Sequence, residues 1–188
     1  MAARSDDLQR NPDDLTVVVT PMRRRHLRGV LRIEHQVYPR PWSIGLYMSE
    51  LSLGTSRVYV VGRVDTSVVG YSGLMIVGEE GHITTVAVDP TWHRNHIASR
   101  LLTSLTREAA LRGVHDLTLE VRMTNHGAQA MYHHFGFAPA GARKGYYVDN
   151  GEDALVMWAH DIHTPEYADR LAAIEATIGG RTVVEGLG

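Results

Sequence analysis

The side chains able to move a proton at defined spacing concentrate between Leu119 and Phe137, in LEVRMTNHGAQAMYHHFGF. Leu117 to Val121 alternate apolar and polar residues, the period of a strand, so Leu119 and Val121 project to one side while Glu120 and Arg122 project to the other. Asn125 then offers a side chain that accepts from the free amides of a first helical turn. Ala128, Met131, Tyr132 and Phe135 follow along one apolar face, and Gly136 stops the helix. A carboxylate on a strand followed by a phenol on the next helix supplies a base and an acid for general acid–base catalysis. Two plainer readings compete with that one. Glu120 and Arg122 share a face and can pair simply to stabilise the strand, and Tyr132 would be core in any fold because its ring lies on an apolar face. Only the joint spacing favours chemistry.

This stretch resembles a strand-helix-strand segment of GNAT-family N-acetyltransferases, most closely the RimI-type enzymes that acetylate protein N-termini, where LEVR, an Asn and a Tyr before GF recur at these offsets. The resemblance covers roughly residues 16–161. It implies the GNAT acyl-CoA N-acyltransferase fold, an α/β (α+β) mixed sheet of about seven strands and four helices. It also implies transfer of acetyl from acetyl-CoA, by direct attack in a ternary complex, to the α-amino group of a protein or peptide N-terminus, a ribosomal protein among the candidates. Glu120 would then be the general base, through a water, and Tyr132 the general acid toward the departing thiolate.

Composition narrows the alternatives. A chain of 188 residues with 44% hydrophobic content fits one domain with a real core. The formal charge of −2 and a pI near 6.6 leave no global basic surface for a nucleic-acid backbone, so no direct nucleic-acid partner is expected. No Cys is available for a disulfide, a thiolate zinc site or an acyl-enzyme. No apolar run approaches the ~20 residues of a membrane span and no secretory signal opens the chain, which reads as cytoplasmic. His93, His96, His133 and His134 do not make a metal site, because this HxxH lacks the Glu of the metalloprotease motif; no metal is expected.

In chain order, residues 1–15 are polar and read as a disordered tail, residues 16–162 as the acetyltransferase domain, and residues 163–188 as a C-terminal helix and a frayed end. Thr16 to Thr20 form a strand. The next helix carries Leu27, Val30, Leu31, Ile33 and Val37 inward, and its basic outer face from Arg23 to Arg32 reads as solvated. Pro39 and Pro41 break that helix, leaving a stiff loop before a second helix capped by Ser43. Three strands then form a meander ending at Asp89-Pro90, followed by a helix through Ile97, Leu101, Leu102, Leu105 and Ala109. A strand, a loop and a helix N-terminus make a generic anion cradle. After Phe137 come two strands joined at Asp149-Asn150-Gly151, then a helix with Thr164 as cap and Pro165 at its first position. Its apolar stripe packs on the domain or on another subunit; oligomeric state stays open.

Carried onto these positions, the resemblance puts the pantetheine arm in a gap between the strands near Val86 and Glu120. Val86, Ala87 and Val88, the loop His93, Arg94, Asn95, His96, Ile97 and Ala98, and Asn125 and Ala128 would hold acetyl-CoA. His96 stands where the family's loop has a glycine; a histidine there can adopt the needed backbone if its φ stays negative, and Arg94 can compensate electrostatically. Tyr38, Pro39 and Trp42 on one wall, and Tyr146 and Tyr147 on the other, would bind the acceptor, with one of the two tyrosines serving as packing. A small-amine acetyltransferase and a noncatalytic acyl-CoA-binding module remain as alternatives, the former favoured by a strongly acidic, enclosed groove.

Overall fold

The computed structural model describes residues 14–188, so all but the last two residues of the expected N-terminal tail lie outside the described residues. Eight strands form one mixed sheet in the order β6-β7-β5-β4-β3-β2-β1-β8. β1 (Thr16–Pro21), β2 (Arg57–Val64), β3 (Ser67–Val77) and β4 (Glu80–Val88) pair antiparallel in succession, β1 with β2, β2 with β3 and β3 with β4. β5 (Asp116–Arg122) lies parallel to β4, a pairing made possible by the crossover helix α3 (Ile97–Leu111). β6 (Ala138–Tyr147) and β7 (Glu152–Ala159) complete that side, β7 pairing antiparallel with β5. The remaining helices are α1 (Leu27–Val37), α2 (Ile44–Ser52), α4 (His126–His134) and α5 (Pro165–Ala176).

Strand alternation divides the core in two. Along β2, Val58 and Val60 join the cluster under α3 and α5 with Leu101, Leu105, Leu171 and Ile174. Tyr59 and Val61 face the other way, meeting Leu27, Val30 and Ile33 of α1 and Tyr47 of α2. The predicted caps are present: Ser43 accepts from Leu46 N, Asn125 from Ala128 N and Thr164 from Tyr167 N.

The expected frayed C-terminus is a correction. Residues Arg181–Val184 form β8, which extends the sheet parallel to β1 in register Thr16↔Arg181 through Val19↔Val184. Leu15, assigned to the tail, is buried, and its carbonyl accepts from Arg181 N. The cause is on α3: Arg100 is almost fully buried and donates to Thr182 Oγ1 and to the Gly179 carbonyl, so the chain end supplies what a desolvated guanidinium requires. No described helix is long and apolar enough to cross a membrane.

Deleting residues 181–188 removes β8 and leaves the Arg100 guanidinium short of an acceptor. The expected cost is about 3 kcal/mol of unfolding free energy, read as a lowered urea midpoint. Unchanged stability would mean that β8 only decorates the edge.

Candidate active site

β4 and β5 pair only at Glu80↔Asp116, Gly81↔Leu117 and His82↔Thr118 before the sheet opens. The ladder between β3 and β4 explains why. Gly73 pairs with Thr85 and Leu74 with Ile83, so Thr84 is an extra residue, a bulge that bends β4 where it leaves its partner. Only glycine fits at position 73, because a Cβ there would sit 2.3 Å from the Tyr59 ring. Beyond the bulge Asp89 N donates to Val69 O, so the two-residue repeat turns the amides of Val86 and Val88 away from β3 and toward the opening. Tyr38 reaches the same edge: its hydroxyl donates to Val86 O at 3.4 Å and lies 3.0 Å from Thr85 Oγ1.

A cleft of about 630 Å³ occupies the opening. Of the residues singled out from sequence, Tyr38, Pro39, Trp42, Val86, Glu120, Asn125, Ala128, Tyr132, Tyr146 and Tyr147 line it. Ala87 points its side chain into the α1 core instead, leaving only its backbone near the opening. Residues His93 to Ala98 and Val88 are not among the lining residues; the loop lies beyond the end of β4, at the start of α3.

The Glu120–Arg122 pair anticipated on the β5 face does not form. Glu120 Oε2 is 2.6 Å from His82 Nε2, and Oε1 is 3.0 Å from Arg143 Nε, with only 6% of its side chain exposed. Arg122 instead bonds Asp149 at 2.9 Å and Glu152 at 3.0 Å, and its guanidinium lies 3.9 Å over the Tyr147 ring. Tyr132 is buried, with its ring edge-on to Phe137 at 5.7 Å. Among the described residues its hydroxyl has no hydrogen-bond partner, although it lines the cleft. Burial pushes the Tyr132 phenol well above its usual range, assisted by Tyr38 and Tyr147, so it stays a proton donor at any physiological pH.

Each wall of the cleft is latched by a carboxylate. Glu34 of α1 is buried and accepts from Trp42 N at 2.9 Å, from Tyr47 Oη at 2.9 Å and from Tyr71 Oη, fixing the Tyr38–Ser43 loop against α2 and β3. Burial raises its pKa. On the other wall Thr124 hydrogen-bonds Glu152 through both its hydroxyl and its backbone amide. These bonds, with the Arg122 pair, hold the Glu152 carboxyl down at about 2 and tie the β6–β7 hairpin to the end of β5. A register shift between Arg143 and Tyr147, with Gly145 at φ 59°, breaks the alternation expected of Tyr146 and Tyr147. Both tyrosines therefore line the cleft, with their rings edge-to-face at 5.2 Å.

His82 and Glu34 escaped sequence reasoning. Glu34 looked like any polar residue of an amphipathic helix. His82 sits in a β-branched run with no motif around it, and only the 38-residue jump to its Glu120 partner gives it meaning.

The His93–Ala98 loop departs from expectation in its backbone. His96 caps α3 with φ 56° and ψ 23°, the left-handed region, and not with a negative φ. Arg94 is left-handed too, at φ 65°. The position thus keeps the conformation a glycine would take, and Asn95 Nδ2 braces the loop on the Trp92 and His93 carbonyls. His96→Gly should relieve about 1 kcal/mol of left-handed strain but add comparable chain entropy to the unfolded state. We expect stability to move by less than about 1 kcal/mol and calorimetric acetyl-CoA affinity by less than about tenfold. A hundredfold gain in affinity would mean that the imidazole obstructs the loop.

Comparison with known proteins agrees with this geometry. The model of the acetyltransferase (GNAT) family matches residues 27–137, more than half of the chain. A Bacillus subtilis protein provisionally described as a ribosomal protein bS18-alanine N-acetyltransferase is 36% identical over 140 residues, 74% of this chain and 93% of that one. The Mycobacterium tuberculosis N-alpha-acetyltransferase RimI is 32% identical over 151 residues, covering 77% and 93%. Among solved structures, the ribosomal-protein-S18-alanine N-acetyltransferase from Escherichia coli superposes with a TM-score of 0.70 at 28% identity, covering 77% of this chain and 94% of that one. An opened sheet with a carboxylate and a phenol facing one cleft, a family model spanning β2 to β5 and more than half of the chain, and relatives at least 30% identical over most of their length place the chain in the GNAT family of N-acetyltransferases.

Proposed function

We propose that this acetyltransferase moves the acetyl group of acetyl-CoA onto the α-amino group of a protein N-terminus, a ribosomal protein being the acceptor class suggested by its relatives' names. The observation that carries the reading is the shared cleft: the Glu120 carboxylate and the protonated Tyr132 phenol both face a space walled by a latched loop and a latched hairpin. In this reading the Val86 and Val88 amides and the start of α3 hold the thioester co-substrate, with the helix end favouring its phosphates. Asn125 Oδ1 already accepts from Ala128 N, which leaves its Nδ2 to donate to a ligand. Tyr38, Pro39 and Trp42 on one side and Tyr146 and Tyr147 on the other receive the acceptor.

Physical chemistry favours an α-amine. With a pKa of about 7.7 to 8.0 it is roughly 10 to 20% neutral at pH 7, and its deprotonation costs about 1 to 1.4 kcal/mol, against about 4.6 kcal/mol for a Lys near 10.4. One carboxylate-based acceptor is adequate for the former. The cleft is lined by Arg40, Arg57 and Arg122 as well as Glu50, Glu120 and Asp149, so it is not the strongly acidic groove that a polyamine would require. The amine attacks the thioester carbonyl directly, since the chain contains no Cys to carry the acyl group. Amide donors of β4 face the developing oxyanion, the Glu120 side receives the amine proton, and Tyr132 donates to the leaving sulfur.

Intact-mass profiling of peptides with free and blocked N-termini, incubated with acetyl-CoA, tests the acceptor. Acetylation confined to free termini supports the reading, whereas labelling of internal Lys in blocked peptides with none at free termini overturns it. In the same assay Tyr132→Phe should lower kcat by about 100- to 10,000-fold while acetyl-CoA affinity stays within a few-fold. Near-normal kcat with lost thermal stability would return Tyr132 to a core role.

A further inference from the structure

From the geometry at the mouth of the sheet opening we infer that His82 is the group that takes the proton from the attacking amine, with Glu120 as its positioning partner. This inference rests on the direct-transfer reading above and assigns the proton path within it.

Three observations converge on His82. It forms the last backbone pair before β4 and β5 separate, and Glu120 follows two residues after its partner Thr118, so both side chains stand at the fork. Both oxygens of Glu120 are already engaged, Oε2 with His82 Nε2 at 2.6 Å and Oε1 with Arg143 Nε at 3.0 Å. And Glu120 is 6% exposed where His82 is 28% exposed and lines the cleft. A carboxylate with both oxygens engaged and only 6% of its side chain exposed is a poor first acceptor, while the more exposed imidazole beside it, which also lines the cleft, is a better one.

Chemistry fixes the tautomer. An ionised carboxylate only accepts, so the shared proton sits on His82 Nε2 and the lone pair remains on Nδ1, for which no described residue offers a hydrogen bond. The step then balances. The acceptor's neutral nitrogen forms the N–C bond to the thioester carbonyl carbon, its surplus proton passes to Nδ1, and the resulting imidazolium is stabilised by Glu120. The C–S bond breaks, and the thiolate takes its proton from the Tyr132 hydroxyl. Solvent in the cleft then removes the imidazolium proton and restores the phenol. Arg143, paired with the other oxygen of Glu120, holds the carboxylate in place.

The test separates relay from direct base. The charged and titratable groups around His82 are Glu120 of β5 and Arg143 of β6, while Tyr146 of β6 and the paired Glu50 and Arg57 line the same cleft. We expect His82→Gln to lose at least about 100-fold in kcat at saturating peptide, with the acetyl-CoA KM within a few-fold and a wild-type melting temperature. Glu120→Gln removes the anion that favours the imidazolium, so the acidic limb of its kcat profile should move to lower pH and remain visible. A His82→Gln variant within threefold of wild type, or a Glu120→Gln variant whose acidic limb disappears, would overturn the relay and leave Glu120 as the direct base. Nitrogen-15 NMR of the free protein adds a readout that needs no acceptor: the neutral His82 ring should carry its proton on Nε2, and an Nδ1-protonated ring overturns the inference. Absence of any peptide acetylation by the wild type would refute the acceptor reading alone, and the NMR result would still decide the tautomer on which the relay depends.

Discussion

Everything functional in this protein depends on two parallel strands failing to stay together. β4 and β5 hold three pairs and then part. Parallel strands give up hydrogen bonds when they separate, and unpaired backbone groups inside a fold are costly unless something else satisfies them. Here the cost is kept low in two ways. The bulge at Thr84 aims β4 outward, so the divergence is a property of the strand itself, and Tyr38 supplies a hydroxyl to the exposed Val86 carbonyl. Among the described residues no hydrogen bond is recorded for the amides of Val86 and Val88, the groups to which the proposed function assigns the thioester co-substrate.

An opening of this kind is useful only if its rims do not drift. Each rim is a segment with little regular structure of its own, the proline-rich Tyr38–Ser43 loop and the turn of the β6–β7 hairpin. Each is fixed by a carboxylate that gathers donors from several elements. Glu34 draws on the loop backbone, α2 and β3, whereas Glu152 draws on Thr124 and Arg122 at the end of β5. Rigid rims spare the enzyme the ordering entropy it would otherwise lose when a flexible N-terminal peptide binds.

The parts of this arrangement visible in the sequence are those written locally. Asn125, Ser43 and Thr164 cap helices within three residues of where they sit, and the periods of two and of 3.6 mark the strands and α3. Glu120 and Tyr132 were legible because one strand and one helix carry both. What was hidden depends on residues far apart in the chain. β8 is a run of four residues after Gly179-Gly180 whose only reason to be a strand is the edge of β1 and the buried Arg100 on α3. The partners of Glu120 lie on β4 and β6, so the local guess of Arg122 failed even though both residues share a face. His96 failed differently: a side chain suggested a negative φ, but the loop closing onto α3 enforces a left-handed one, and histidine tolerates it better than a β-branched residue would.

Two carboxylates are withdrawn from water near this cleft, and their surroundings assign them opposite duties. Glu34 accepts from one amide and two phenols, all neutral donors; burial outweighs these bonds and the nearby His35, its pKa rises, and it is suited to holding elements in place. Glu120 meets an arginine and a histidine, so each of its two oxygens has a basic side chain beside it. Tyr132 is the contrasting group, its hydroxyl buried without a hydrogen-bond partner among the described residues and held protonated by that burial. A carboxylate held between two basic side chains and a phenol whose ionisation is suppressed by burial therefore face one space, the division between proton acceptor and proton donor on which the proposed reaction rests.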